Sequence, residues 1–124
     1  MDGMERRQMA RYYLVSRADV LVRGRLDPLW AGVANISRTG VTLYIQQPLK
    51  LRAKVTLTFH FCKEDGWEAT ETAAAVVIWQ SGEAVGLKFE RPILADSLAA
   101  KKTPYLADYI AKKEAGDEGE YEGE

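Results

Sequence analysis

The stretch Lys54-Val55-Thr56-Leu57-Thr58-Phe59-His60-Phe61 alternates polar and apolar side chains without a break. A period of two is that of a β-strand, whose successive side chains point to opposite faces. Val55, Leu57, Phe59 and Phe61 therefore share one inward face, and Lys54, Thr56, Thr58 and His60 share the other. Outward from this strand, the chain from Tyr12 to Glu90 stays rich in Val, Ile, Thr, Tyr and Trp and is broken at short intervals by turn chemistry. The breaks are Asp27-Pro28, Ser37-Arg38-Thr39-Gly40, Gln47-Pro48, Lys63-Glu64-Asp65-Gly66 and Ser81-Gly82. They delimit strands over Ala18–Arg25, Trp30–Ile36, Val41–Ile45, Lys54–Phe61, Glu68–Gln80 and Ala84–Glu90. The fold class is mainly β, a six-stranded antiparallel barrel, because an open sheet of this length leaves edges unpaired.

The flanks differ in kind from the barrel at 12–91. Residues 1–11 are polar and basic with no period that buries anything, and read as a mobile arm. Residues 92–113 change to helical spacing, with Ile93, Leu94 and Leu98 in a first turn or two, Thr103 as an N-cap and Pro104 at the first helical position. The second helix is expected to end near Lys113, with Leu106, Tyr109 and Ile110 as one apolar stripe, free to cap the barrel or to serve a dimer. Residues 114–124 read as a disordered acidic tail.

That tail hides a charge asymmetry behind the net charge of −1, since it holds Glu114, Asp117, Glu118, Glu120, Glu122 and Glu124. Without it the chain carries 17 basic and 12 acidic side chains, a body suited to anions. The longest apolar run, Ala73 to Trp79, is too short to span a bilayer, and no apolar segment follows the first charges. A soluble, cytoplasmic protein without membrane insertion is expected. The sole cysteine, Cys62, allows no internal disulfide. His60 and Cys62 share a strand face but supply two of the three or four ligands that a zinc site needs.

Two short patterns carry chemistry. One is Arg7-Gln8-Met9-Ala10-Arg11, preceded by Arg6; the other is Asn35-Ile36-Ser37-Arg38-Thr39-Gly40, in the turn between the second and third strands. Arginine forks match both phosphate oxygens and the O6/N7 edge of guanine. Asn35 offers an acceptor and a donor to the other guanine edge, or else fixes the turn by an Asx bond. Ser37 can donate to phosphate or base, and Gly40 permits a positive φ and a close backbone approach.

RxxxR followed by NxSxxG, then Trp79 and Val85-Gly86-Leu87-Lys88-Phe89, resembles the PilZ domain family over about residues 5–91. The resemblance implies a receptor for the bacterial second messenger cyclic di-GMP, with no cofactor. The ligand would be held by Arg6, Arg7, Arg11, Asn35, Ser37 and Gly40, with the arm on one side and the turn on the other. It also implies that the residue just before RxxxR, here Arg6, biases whether one nucleotide or a stacked pair is bound: a guanidinium lying flat on a purine favours the pair, and the alternative is an idle surface charge. Trp79 falls where similar proteins carry a tryptophan near the site, but a strand tryptophan reads first as core. Trp30 and Trp67 read as packing at a barrel end or on the surface.

Other function classes fare worse. An enzyme lacks an inventory here: His60 has no nucleophile partner, and there is no phosphate-binding glycine loop. A single-strand nucleic-acid binder would need the basic arm but gives no reason for the paired motifs. The remaining alternative is a PilZ-like protein–protein interaction domain that works without nucleotide. The favoured reading is an adaptor, monomer or homodimer, whose arm orders on cyclic di-GMP and so regulates a protein partner in motility, secretion or exopolysaccharide control.

Overall fold

A computed structural model of the chain describes residues 14–62, 66 and 68–123. Six strands form within them: β1 (Leu14–Val22), β2 (Leu29–Ile36), β3 (Gly40–Tyr44), β4 (Lys54–Cys62), β5 (Glu68–Ser81) and β6 (Ala84–Phe89). All neighbours are antiparallel, and the order β1-β2-β3-β6-β5-β4 closes on itself into the barrel that the strand count implied. Closure removes every free edge. The alternation of β4 does what its sequence dictates, since Val55, Leu57, Phe59 and Phe61 are buried. Phe59 meets Phe89 edge to face, with ring centroids 6.3 Å apart, in a core shared with Leu43, Leu57 and Leu87. Burying each such side chain stabilises the barrel by roughly 1.5–3 kcal/mol.

Three bulges interrupt the alternation. In β1 the register shifts between Leu14 and Arg17, so Val15 and Ala18 are both buried while Ser16 and Arg17 are exposed. This break of period explains why the strand starts at Leu14 rather than at the expected Ala18. It ends at Val22 rather than Arg25, because Gly24, with φ 94°, turns the chain and Arg25 N–H bonds Val22 O at 2.9 Å. The other two bulges, between Val33 and Asn35 in β2 and between Val77 and Trp79 in β5, matter for the site.

Two helices follow, α1 (Leu98–Lys102) and α2 (Pro104–Gly123). The segment before α1 is not helical: Asp96 takes φ 64°, Ile93 is buried in the connection, and Ser97 N-caps α1 through Ala100 N–H. Thr103 precedes Pro104 as expected, but its hydroxyl donates backwards to Ala99 O at 2.9 Å instead of capping α2. The cap comes from across the fold. Both oxygens of Glu71, on β5, accept from the first turn of α2, from Tyr105 N–H and Leu106 N–H at 2.8 Å each. Leu106 and Ile110 are fully buried in the barrel's own core cluster, and Tyr105 packs on Phe61. The apolar stripe is thus spent within the chain. Where the sequence reading stopped the helix near Lys113 and left 114–124 disordered, the helical backbone continues to Gly123. Ala115 and the glutamates of this stretch favour helix and no proline interrupts it, against the cost of Gly116 and Gly119.

Burial raises the Glu71 carboxyl pKa above its ordinary value, against the lowering effect of the two backbone donors. A carboxyl raised on folding binds more protons folded than unfolded, so it makes stability fall as pH climbs through the range from its ordinary value to its raised one. Glu71→Gln is expected to flatten the stability–pH profile in that weakly acid range, as read by thermal melts across pH. Glu71→Ala, which leaves both donors uncapped, is expected to cost about 0.5–2 kcal/mol in urea titrations.

Candidate functional site

Without the bulge in β2, Asn35 would continue the inward series of Leu29, Ala31 and Val33. The extra residue flips the pattern, so Ile36 turns into the core and Asn35 is exposed. The β5 bulge does the same to Trp79, which would otherwise follow Ala75 and Val77 inward. Its indole is 41% exposed, which corrects the reading of Trp79 as core. The two displaced residues land on one row across the outer wall. Asn35 pairs with Thr42, Thr42 with Gly86, and Gly86 with Trp79. A second row pairs Gly40 with Lys88.

Glycines make the wall concave here. A Cβ on Gly86 would lie 2.0 Å from Trp79 Nε1, so the indole lies directly on the Gly86 backbone. The expectation that Gly40 provides a positive φ is corrected: it is a strand residue outside that region, and its lack of a side chain serves a different need. A Cβ there would meet Leu87 O at 2.2 Å, so only glycine lets β3 approach β6 this closely. The result is a groove of about 240 Å³ lined by Asn35, Ser37, Thr39, Thr42, Trp79 and Lys88, with Gly40 and Gly86 among its residues.

Ser37 shapes the lip of this groove. Its backbone N–H bonds Gly40 O at 2.9 Å, and its hydroxyl lies 3.3 Å from both Gly40 O and Thr39 N, a side-chain-closed turn. The hydroxyl is exposed. Asn35 Oδ1 accepts from the ammonium of Lys113, on α2, which also reaches Ile36 O at 3.3 Å. Arg38 points the other way, to Ile93 O at 2.9 Å and to the carboxylate of Glu114. The arrangement offers an amide, a hydroxyl, a flat indole face and the cation of Lys88 around one open concavity.

The structure therefore brings Asn35, Ser37 and Gly40 together. Arg6, Arg7 and Arg11 lie outside the described residues, as does Trp67. Sequence reasoning missed Thr42, Gly86 and Lys88 as lining residues. A glycine inside a strand marks a close approach, and that signal was available at Gly86. Trp30, 64% exposed, lies with Tyr44 on a separate part of the wall. His60 Nε2 is 2.9 Å from Asp19 Oδ2, and among the described residues no three potential metal ligands cluster. No described helix is long and apolar enough to cross a membrane.

A family model, described as the PilZ domain, matches residues 5–101, which takes in both motifs and all six strands. No curated protein and no solved structure matches the chain.

Proposed function

The chain belongs to the PilZ domain family, a family of cyclic di-GMP-binding and adaptor domains rather than enzymes, and from that membership we propose that its outer-wall groove is a cyclic di-GMP receptor site. The observation that carries the reading is the row Asn35–Thr42–Gly86–Trp79 with Ser37 on its lip and Lys88 beside it. Each part meets one need of a cyclic purine dinucleotide. Asn35 matches the hydrogen-bonding edge of guanine, the Trp79 face offers stacking, and Lys88 and the Ser37 hydroxyl suit phosphate. Arg7 and Arg11 supply bidentate forks from the arm, and Arg6 stacks on a purine when two nucleotides enter together. On this reading the domain acts as a cytoplasmic adaptor, its arm and surface changing for a protein partner on binding.

Calorimetric titration with cyclic di-GMP, with GMP and cyclic di-AMP as controls, tests this. Wild type is expected to saturate with cyclic di-GMP alone. Arg11→Ala, or Arg7→Ala, is expected to lose roughly 1–3 kcal/mol of binding, about fivefold to 150-fold, with an unchanged unfolding midpoint. A folded wild type silent to all three ligands would turn the assignment to the nucleotide-independent interaction domain.

A further inference from the structure

Two consecutive residues of α2 hold the turn that forms the lip of the groove. Lys113 donates to Asn35 Oδ1 and to Ile36 O. Glu114 accepts from Arg38, with Nε at 3.1 and 3.3 Å from its two oxygens and Nη2 at 3.0 Å. These contacts are not what seats the helix. Its first turns are already fixed by Leu106 and Ile110 in the core and by the Glu71 cap. Beyond Glu114, Gly116 and Gly119 weaken the helical backbone relative to alanine. A strongly docked N-terminal half thus carries Lys113 and Glu114 to the turn at the lip of the groove.

The chemistry of the contact opposes the ligand proposed above. Asn35 Oδ1, the acceptor suited to guanine N–H donors, is engaged by Lys113, and the Glu114 carboxylate brings negative charge to the lip of an anion site. Resting on the receptor reading, we propose that residues 113 and 114 form a latch that competes with the nucleotide for Asn35 and the turn, and that binding releases the C-terminal half of α2. The Lys113 contact to Asn35 is exposed, and Glu114, 56% exposed, meets solvent on its own side of a two-pronged pair with the more buried Arg38, so the latch is within reach of a ligand's differential affinity. Linkage then makes the effect reciprocal: what opens the latch tightens nucleotide, and nucleotide opens the latch. The freed helix end is the element by which occupancy is passed to a partner.

The test compares cyclic di-GMP affinity at low salt in wild type, Lys113→Ala and Glu114→Gln, with hydrogen exchange of residues 112–123 in wild type with and without nucleotide. Each variant is expected to bind about threefold to tenfold more tightly, because a latched population lowers apparent affinity by the unlatched fraction. Exchange at 112–123 is expected to speed up on binding. Weaker binding by Lys113→Ala would make Lys113 a nucleotide contact and overturn the latch, as would unchanged affinities or slowed exchange. Those results leave the receptor reading standing. No binding by any of the three proteins removes the receptor reading and the latch together.

Discussion

Gly40→Ala is expected to lower the stability of the barrel by about 3 kcal/mol, the upper end of what overpacking costs, as a shift of the urea midpoint. The added methyl would stand 2.2 Å from Leu87 O and 3.2 Å from Leu87 C and Lys88 Cα. All three are backbone atoms of the neighbouring strand, so no rotamer change relieves the clash. Relief requires β3 and β6 to separate at the Gly40–Lys88 pair, next to the Phe89 N–H to Thr39 O bond of 2.9 Å. For a domain with total stability of about 5–15 kcal/mol, that is a large fraction. The same separation would open the groove's floor, so nucleotide affinity is expected to fall with stability. An unmoved midpoint would show that the two strands part at little cost and that the glycine answers to something else.

Gly86→Ala is expected to behave differently, although its clash is as close on paper. The methyl would meet Trp79 Nε1 at 2.0 Å, but that atom belongs to a half-exposed side chain with solvent to move into. The indole swings away, and replacing a strand glycine returns roughly 0.5–1 kcal/mol of backbone entropy, so the unfolding midpoint barely moves. What is lost is the stacking face. Base–aromatic stacking contributes about 1–3 kcal/mol per base, which predicts a fivefold to 150-fold loss of cyclic di-GMP affinity, matched by Trp79→Ala. Tryptophan fluorescence, compared with Trp79→Leu to isolate this indole, should report the displacement in the free protein. Preserved affinity in Gly86→Ala with a displaced indole would remove stacking from the site.

Much of this was legible in local pattern. The strict alternation of residues 54–61 named the inward face of β4, and turn residues placed β2, β3, β5 and β6 to within a residue at each end. Helix α2 begins at Pro104 as its spacing demands. The less legible features share a cause. The start of β1, the outward turn of Trp79 and the exposure of Asn35 each follow a bulge, and a bulge is a register mismatch between two strands that neither strand's sequence displays alone. Thr103 reads as a cap because serine and threonine usually serve there, and the competing carboxylate of Glu71 lies on a strand more than thirty residues earlier.

Periodicity, turn chemistry and motif order are properties of neighbouring residues, and from them follow the barrel class, most strand bounds, the signature motifs and the family. Tertiary structure alone decided which residues share the groove wall. Two bulges, on β2 and on β5, carry Asn35 and Trp79 onto one row, and strand pairing sets Gly40 against the Leu87 carbonyl. It also decided that α2 reaches back to the turn, since the contacts of Lys113 and Glu114 depend on where the barrel holds the helix and on nothing in the helix's own sequence. Register and docking are set by pairing and packing between distant segments, and these exist only once the barrel has closed.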